Sequence, residues 1–290
     1  MSAALRCAGL GHSYARKVWG LRDCDLDVPA GRVVALVGPN GSGKTTLMSM
    51  AAGLLPATEG TVEAAGGAPA RRLDRIGFVA QDAPLWPRMR VADVLEVCRR
   101  MNRGFDAVMA AERIGRLGIR PRARISALSG GERAQVALTL VLAKKPELFL
   151  LDEPMANLDP LARREFLGSM FEACLETGST VVYSSHAVAE LERVCDYLIV
   201  LRAGRVRLTG DIDELRSRHR VIRGPDGWPD GGGWQVISQR SMAGQTTALV
   251  HRDDSRLPGP GLQDAAPAFD ELVLGYLDGD AAGLCEEAAA

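Results

Sequence analysis

The chain has 290 residues and is 47% hydrophobic, which is enough to bury the core of one or two domains. Its formal net charge of −1 at pH 7 excludes the strongly basic balance typical of nucleic-acid-binding proteins, so we expect no nucleic-acid partner. The six cysteines form no C-x-x-C pair, the N-terminus has no signal-peptide pattern, and no apolar run approaches the ~18 residues that span a bilayer. We therefore expect a cytoplasmic chain with reduced thiols.

Residues 4–65 predict strands on both sides of a glycine-rich loop. Cys24, Leu26 and Val28 alternate with three aspartates, which is the period of a half-buried antiparallel strand. Tyr14 lies in a polar stretch ahead of this strand. Two interpretations stay open for Tyr14: a surface tyrosine, or an aromatic ring that stacks on an adenine base.

The glycine-rich loop follows a predicted buried strand at 32–37 and precedes a predicted helix that Pro56 ends. Its glycines let the backbone approach a ligand closely, and its N–H groups point into an anion-sized hollow at the helix N-terminus. Lys44 supplies a cation for the β- and γ-phosphates, and Thr45 a hydroxyl for Mg²⁺. The alternative is a simple glycine-rich turn. The pattern G-x-x-x-x-G-K-[ST] in this context predicts a nucleotide-phosphate site formed by Gly38, Pro39, Asn40, Gly41, Ser42, Gly43, Lys44, Thr45 and Thr46.

A short apolar strand at 76–80 runs into Gln81. Two prolines within 82–87 exclude a continued strand or a regular helix at that point. Gln81 is therefore either an ordinary loop residue or a group that reaches Mg²⁺ or the attacking water. Helical periodicity over 91–117 then predicts a helical insertion, about residues 82–145, between two parts of the nucleotide-binding core.

Ser129, Gly130 and Gly131 stand at the start of an apolar helix that ends at Pro146. Free backbone N–H groups, a hydroxyl and the positive end of a helix dipole make a second anion-binding geometry. The alternative is a serine N-cap with a flexible approach. If both turns bind phosphate, the chain offers two cradles for one γ-phosphate.

Acids and a histidine follow the next two predicted buried strands. Asp152 and Glu153 follow the strand at 148–151, at the sheet edge where open α/β proteins bind ligands. Asp152 suits Mg²⁺, and Glu153 is placed to orient or deprotonate a water that attacks the γ-phosphate; the alternative is a polar turn. His186 follows the strand at 180–183 and is either structural or a γ-phosphate contact. Asp159 is predicted to cap the intervening helix.

The order of elements predicts an α/β fold: a P-loop NTPase core with a mainly parallel sheet, an N-terminal antiparallel β subdomain and a helical insertion. Strands at 197–201 and 206–208 form a hairpin that closes this core. We predict a cassette at 1–215 and a small C-terminal α+β appendage at 216–290, whose role the sequence does not indicate. Beyond the hairpin the predicted elements are a helix at 211–220, a loop at 224–234, strands at 236–238 and 246–250, and a helix at 269–277.

In this order the motifs resemble those of the ATP-binding subunit of an ABC (ATP-binding cassette) transporter, over about residues 4–215. Glu132 stands where that family usually has glutamine, and Asn157 where a small residue is common. The matching segments are Gly38–Thr46 (Walker A), Gln81 (Q-loop), Leu128–Glu132 (signature loop), Leu150–Glu153 (Walker B with its catalytic glutamate), Asn157–Asp159 (D-loop), His186 (switch histidine) and Tyr14 (adenine-stacking aromatic).

The resemblance implies an enzyme that binds ATP and Mg²⁺ and hydrolyses ATP as a homo- or heterodimer of cassettes. Ser129, Gly130 and Gly131 of one cassette, with Asp159, would then border the nucleotide held by the Walker A loop of the other. The residues implied in catalysis are Glu153, His186 and Gln81, and those implied in metal binding are Thr45, Gln81 and Asp152.

The resemblance also implies a function: energising a separate integral-membrane permease from the inner face of the cell membrane. The motion would pass to the permease through the loop after Gln81, near Trp86 and Met89, and Leu85 with Trp86 is either a docking patch or a buried loop anchor. The ending at 269–277 looks like the tail of exporter-type cassettes and favours export.

The alternative is a soluble ABC-type ATPase in translation or DNA repair, although those families usually carry tandem cassettes or a long coiled-coil insertion. A regulatory module without turnover conflicts with the intact Glu153.

Overall fold

The computed structural model describes residues 3–14, 18–81, 84–155, 158–185, 188–226, 234–251 and 261–279. The chain forms two compact units: unit 1 is Met1–Val33 with Lys44–Ser185, and unit 2 is Val34–Gly43 with His186–Ala290. The division between Gly43 and Lys44 falls inside the predicted phosphate loop. The predicted domain boundary at residue 215 stays a prediction.

Strands and helices alternate through most of the described chain. The strands are β1 (Ala3–Tyr14), β2 (Val18–Pro29), β3 (Val33–Val37), β4 (Glu59–Ala64), β5 (Ile76–Val79), β6 (Leu148–Asp152), β7 (Thr180–Ser184), β8 (Tyr197–Arg202), β9 (Arg205–Asp211), β10 (His219–Pro225), β11 (Gln235–Met242), β12 (Gln245–His251) and β13 (Gln263–Ala265). The helices are α1 (Lys44–Ala51), α2 (Val91–Met101), α3 (Ala107–Arg116), α4 (Gly130–Lys144), α5 (Pro160–Thr177), α6 (Val188–Glu192), α7 (Ile212–Arg218) and α8 (Phe269–Asp278).

Unit 1 begins with a three-stranded antiparallel sheet in the order β2-β1-β4. Along β2, Cys24, Leu26 and Val28 are buried, whereas the aspartates between them are exposed. This alternation confirms the antiparallel subdomain that the period of two predicted.

Unit 1 also holds three parallel strands, with β6 between β5 and β7. Every residue of β6 and β7 is buried, which explains why both strands are almost continuously apolar in sequence. Their register places Asp152 beside Ser184, and Val79 of β5 beside Leu151. The residues that follow these strands therefore meet at one edge of the sheet.

The helical insertion of unit 1 has its own apolar core. Helices α2, α3 and α4 and the segment before α4 bury one cluster, which consists of Val91, Val94, Ile114, Ile119, Ile125, Leu128, Val136 and Leu140. Leu85 and Met89 pack against this cluster. The cluster holds the N-terminus of α4, and with it the predicted second cradle, in a fixed position within the insertion.

In unit 2, β3 pairs in parallel with β8, and β8 pairs antiparallel with β9. Ala203 and Gly204 connect β8 to β9 with φ values of +50° and +74°. Two central residues with positive φ are what a tight two-residue hairpin requires, so the predicted hairpin is confirmed.

The C-terminal part of unit 2 contains a four-stranded antiparallel sheet in the order β11-β12-β10-β13, against which α8 packs. The predicted helix at 211–220 is too long, because α7 ends at Arg218 and β10 begins at His219. Three arginines at alternate positions from Arg216 gave this stretch the look of a basic helix end. In the fold, Val221 and Ile222 of β10 are buried from opposite faces of a central strand.

The five cysteines that the structure describes are free: Cys7, Cys24, Cys98, Cys174 and Cys195. Burial raises the pKa of the thiols of Cys7 and Cys195, and raises the pKa of Cys174 to about 12. These groups therefore stay protonated at neutral pH, and thiolate chemistry is not expected from them. Among the described helices, none combines the length and apolar character needed to cross a bilayer.

The close pairing of β1 with β4 gives a test of the antiparallel subdomain. Gly60 has φ +68°, and a Cβ there would lie 2.2 Å from Gly9 O and 2.3 Å from Ala8 O. We expect Gly60→Ala to lower the free energy of unfolding by about 1–3 kcal/mol, because β4 must move away from β1. In Gly168→Ala, within α5, the new Cβ meets nothing within 4 Å. This control should stabilise the protein by about 0.5–1 kcal/mol. Equal urea midpoints for the two variants would contradict the fold at β4.

Candidate active site

The phosphate loop leaves β3 through a position that admits no side chain. A Cβ on Gly38 would lie 2.3 Å from Leu201 O and 2.4 Å from Ser42 Oγ. The N–H of Gly204 donates to Ser42 O over 3.0 Å, so the turn between β8 and β9 holds the loop from one side. Glycine at position 38 is therefore required by close approach within unit 2.

The loop then curls with positive φ values, +77° at Gly41 and +107° at Gly43. The N–H of Ser42 donates to Pro39 O over 3.1 Å and closes the turn. Pro39, Asn40 and Gly41 are exposed, whereas Ser42 is buried. Within unit 2 this is the backbone conformation that the motif predicts for a loop whose N–H groups bind phosphate.

The remaining residues of the motif begin α1 in unit 1. The side chain of Lys44 is only 5% exposed, and its Nζ lies 3.8 Å from Glu153 Oε1. Thr45 is exposed at the first turn of the helix, and Thr46 is buried. The lysine that should bind phosphate thus shares a buried environment with the acid that should act on water.

Tyr14 is fixed to this helix although 46% of it is exposed. Its hydroxyl lies 3.0 Å from Thr46 Oγ1, and its ring meets His12 edge-on at 4.6 Å between centroids. A Cβ on Gly20 would lie 2.7 Å from the Tyr14 ring and 3.0 Å from Thr46 Oγ1. Gly20 is therefore needed for this contact, and sequence reasoning missed it. A half-exposed ring held beside α1 is compatible with base stacking, which stays a prediction.

Asp152 and Glu153 lie at the carboxyl end of β6, as predicted. Asp152 is 1% exposed, and its Oδ1 accepts a hydrogen bond from Ser184 Oγ at 2.9 Å. The N–H of Glu153 donates to the same Ser184 Oγ over 3.0 Å. Sequence reasoning assigned no role to Ser184, which lies two residues before His186. Its position directly after the strand at 180–183, on the same sheet edge as Asp152, is the signal that could have identified it.

The backbone of Glu153 adopts φ +46°, in the left-handed region. A residue with a Cβ is uncommon there, and such strained positions cluster at active sites. The conformation follows immediately after the last paired residue of β6 and sends the side chain of Glu153 toward Lys44. A polar turn, the alternative interpretation of these acids, would be expected to be exposed, whereas the Glu153 side chain is only 10% exposed.

The donor set fits Mg²⁺ bound together with a nucleotide. Asp152 Oδ2 is buried and has no hydrogen-bond partner in the described part of the chain. The described residues contain no group of three or more acidic, His or Cys side chains that could hold a metal alone. Mg²⁺ typically binds one or two carboxylates and takes its other ligands from water and substrate phosphates. One carboxylate oxygen of Asp152 and the exposed hydroxyl of Thr45 match that mode.

Gln81 is exposed two residues after β5, whose carboxyl end adjoins that of β6. The parallel register thus brings Gln81 to the sheet edge of Asp152, although the structure shows no hydrogen bond that would assign its role. His186 and Asn157 lie outside the described residues, so their predicted roles stay predictions.

Ser129 caps α4 through a reciprocal pair of hydrogen bonds with Glu132. Its Oγ accepts from the N–H of Glu132 at 3.2 Å, and its own N–H donates to Glu132 Oε2 over 2.7 Å. Glutamate at position 132, the departure from the family pattern, therefore completes a capping box. The N-cap interpretation of Ser129 is correct, while phosphate binding by Ser129, Gly130 and Gly131 stays a prediction.

Asp159 likewise has the structural role that was predicted. Its Oδ1 accepts a hydrogen bond from the N–H of Ala162 at 3.0 Å at the start of α5, and the residue is exposed. An exposed cap leaves the side chain accessible, so a further role toward a nucleotide stays a prediction.

Comparison with known proteins agrees with this geometry. The family model described as ABC transporter matches residues 21–156, and a second model, described as an AAA domain, matches residues 124–192. The molybdenum import ATP-binding protein ModC of Mesorhizobium japonicum is 35% identical over 257 residues, covering 82% of this chain and 68% of the relative. The aliphatic sulfonates import ATP-binding protein SsuB 2 of Xanthomonas axonopodis pv. citri is 38% identical over 213 residues, covering 72% of each chain.

Solved structures share the fold. An ATP-binding subunit of an ABC transporter superposes with a TM-score of 0.66 at 27% identity, covering 74% of this chain and 92% of the other. A dimeric ATP-binding cassette in a post-hydrolysis state, bound to ADP and Pi, superposes with a TM-score of 0.65 at 23% identity. The match covers 72% of this chain and 98% of the other. At that identity the second match concerns the fold alone. The phosphate loop, the acids that follow β6 and these relatives lead to one conclusion: the chain belongs to the ABC transporter family and is an ATP-binding subunit that hydrolyses ATP.

Proposed function

We propose that this ATPase powers substrate movement through a separate integral-membrane permease, and that it works as a dimer of cassettes. The observation that carries the proposal is the buried set of Lys44, Asp152 and Glu153 in unit 1, where Lys44 is the residue that directly follows the phosphate-type loop in the chain. A transporter subunit needs turnover as well as binding, and these residues supply a phosphate-binding cation, a metal-binding acid and a candidate base in one place.

The proposal gives each residue of the site one role. The N–H groups of the loop and Lys44 bind the phosphates, and Thr45, Asp152 and Gln81 hold Mg²⁺, which when bound neutralises developing charge on the phosphates. Glu153 orients the attacking water and takes up its proton. In this proposal Tyr14 stacks on the adenine, and His186 contacts the γ-phosphate.

The capped turn before α4 supports a site shared by two chains. Ser129 is exposed, and the first N–H groups of α4 have no partners within the helix other than the capping box. We assign this turn to the nucleotide held by the partner cassette, where Ser129, Gly130 and Gly131 cover the γ-phosphate and Asp159 lies at the border. The dimeric cassette noted above, with ADP and Pi, is a precedent in that protein. The partner is a second copy or a related cassette.

The segment after Gln81 is the proposed contact with the permease. Leu85 packs against the core of the helical insertion, whereas Trp86 is 52% exposed. One residue therefore anchors the segment and the next offers an apolar surface to a partner. The packing of Leu85 supports a role as loop anchor, and the exposure of Trp86 supports a role in docking.

The direction of transport has less support than the ATPase role. The two relatives reported above are named as import proteins, and that name describes those proteins only. The ending that favoured export forms α8, which buries Phe269, Leu272, Val273 and Tyr276 within unit 2. Packing thus accounts for its apolar pattern, and the ending gives no independent support to export.

Replacing the candidate base tests the assignment of Glu153. We expect Glu153→Gln to lower kcat for ATP hydrolysis by ~10²-fold or more, because the amide cannot take up a proton. Binding of ATP should persist, since the lost group acts on water. Glu63→Gln, the same change at an exposed position, is the control and should hydrolyse ATP at the wild-type rate. Equal kcat values for the two variants would show that Glu153 is not the base.

The permease proposal is tested by purifying the tagged chain from detergent-solubilised membranes of the native cells. We expect an integral-membrane protein to co-purify with the wild type and with Leu73→Ala, but less with Trp86→Ala. Leu73 matches Trp86 in exposure, at 51% against 52%. The ATPase activity of the isolated variants should be unchanged. Recovery without a membrane partner, together with stimulation of ATPase by ribosomes or DNA, would favour the soluble alternative.

A further inference from the structure

We infer that Ser184 is a positioning residue for ATP hydrolysis, whose single hydroxyl orients both the acid that holds Mg²⁺ and the acid that acts on water. The inference rests on the proposed roles of Asp152 and Glu153. It concerns a residue that lies on β7, a strand separate from β6, which carries Asp152 and directly precedes Glu153.

The hydrogen bonds of Ser184 have a fixed direction. Ser184 is fully buried and pairs in parallel register with Asp152. Its Oγ receives the N–H of Glu153 at 3.0 Å, and that backbone group can only donate. The hydroxyl proton is therefore available to Asp152 Oδ1, which lies 2.9 Å away and accepts it. One hydroxyl thus links the backbone of Glu153 to the carboxylate of Asp152.

This link makes the two oxygens of Asp152 unequal. Oδ1 is held by Ser184, whereas Oδ2 is buried with no hydrogen-bond partner among the described residues. A buried carboxylate oxygen without a donor is costly in the free protein, and a cation beside it removes that cost. Ser184 therefore fixes which oxygen of Asp152 is presented to Mg²⁺. Groups that orient a metal ligand in this way typically change metal affinity by about 10–100-fold when removed.

The same hydroxyl supports the strained backbone of Glu153. A backbone strained at φ +46° persists only where its surroundings hold it in place. The hydrogen bond from the Glu153 N–H to Ser184 Oγ is one such restraint. Its side chain then reaches to 3.8 Å from Lys44 Nζ. Loss of the hydroxyl would remove at once the hydrogen bond from the Glu153 N–H and the one to Asp152 Oδ1, on the two residues that the proposed reaction uses.

A neighbouring serine provides a matched control. Ser179, directly before β7, is buried, donates to Pro146 O over 2.7 Å and lies 2.7 Å from Thr177 Oγ1. Ser179→Ala removes a buried, hydrogen-bonded hydroxyl near the same strand, but at the opposite end from the acids. An effect that Ser184→Ala shows and Ser179→Ala does not is therefore not a general cost of losing a buried hydroxyl.

The experiment uses the full chain, with thermal unfolding as a check on folding. Binding of a fluorescent ATP analogue is measured in EDTA and at rising Mg²⁺, and ATPase activity is measured over the same Mg²⁺ range. In EDTA we expect wild type, Ser179→Ala and Ser184→Ala to bind the analogue within about twofold of one another. The Mg²⁺ concentration at half-saturation should rise by about 10-fold or more in Ser184→Ala alone, in binding as well as in activity. Its kcat should fall by about 10-fold, with KM for ATP at saturating Mg²⁺ little changed.

Ser184→Thr keeps the hydroxyl on a strand position that suits a β-branched residue, and it should restore the Mg²⁺ dependence. The inference is overturned if Ser184→Ala shows the Mg²⁺ dependence and kcat of Ser179→Ala, or if Ser184→Thr is as impaired as Ser184→Ala. These outcomes differ from a failure of the proposed function, which would appear as a wild-type chain without Mg²⁺-dependent turnover.

Discussion

A buried lysine beside a largely buried glutamate, which a buried aspartate directly precedes in the chain, is the arrangement on which the rest of the site depends. Lys44 and Glu153 keep only 5% and 10% of their side chains exposed, and Asp152 keeps 1%. Burying such charges is expensive unless they are compensated. Because Lys44 lies 3.8 Å from Glu153, and Asp152 directly precedes Glu153, the cluster offers acids to a cation and a lysine to a phosphate. A nucleotide with its metal ion brings both charges, so the electrostatics of the free protein already match the substrate.

The candidate site is built partly from local sequence motifs and partly from contacts between distant segments of the chain. Only the local motifs can be recognised in the sequence. The turn at 38–43, the place of the acids after β6 and the cap at Ser129 are each encoded in contiguous residues, so the sequence patterns predicted their local structure. The roles of Ser184 and Gly20 arise from contacts between segments far apart in the chain, with Asp152 in one case and with Tyr14 and Thr46 in the other. For Ser184 the one sign in the sequence is its place at the end of a predicted buried strand, whereas the contact of Gly20 has no such sign. Strand β10 was missed for another reason, because its buried residues are interleaved with arginines that continue the pattern of α7.

The chain also contains two turns that are predicted to bind phosphate, which is one more than a single nucleotide needs. The loop at 38–43 leads into Lys44, whereas the turn before α4 has a serine cap and helix N–H groups but lies in a segment without a lysine or paired acids at the same place. In the proposed function the first turn leads into the residues that act on the nucleotide, and the second covers the nucleotide held by the partner chain. In the proposed dimer the turn before α4 of each chain covers the nucleotide bound by the other chain. Neither chain then hydrolyses ATP without its partner.

Mixing two inactive variants tests this shared site most directly. Lys44→Ala removes the phosphate-binding cation, and Gly131→Asp places a negative charge in the first turn of α4, where helices tolerate acids but a phosphate would be repelled. Each variant alone should be nearly inactive. An equimolar mixture should exceed the sum of the two, up to roughly a quarter of wild-type activity, because half of randomly formed dimers carry one fully intact site. A mixture no more active than its components, or full activity of Gly131→Asp alone, would contradict the account.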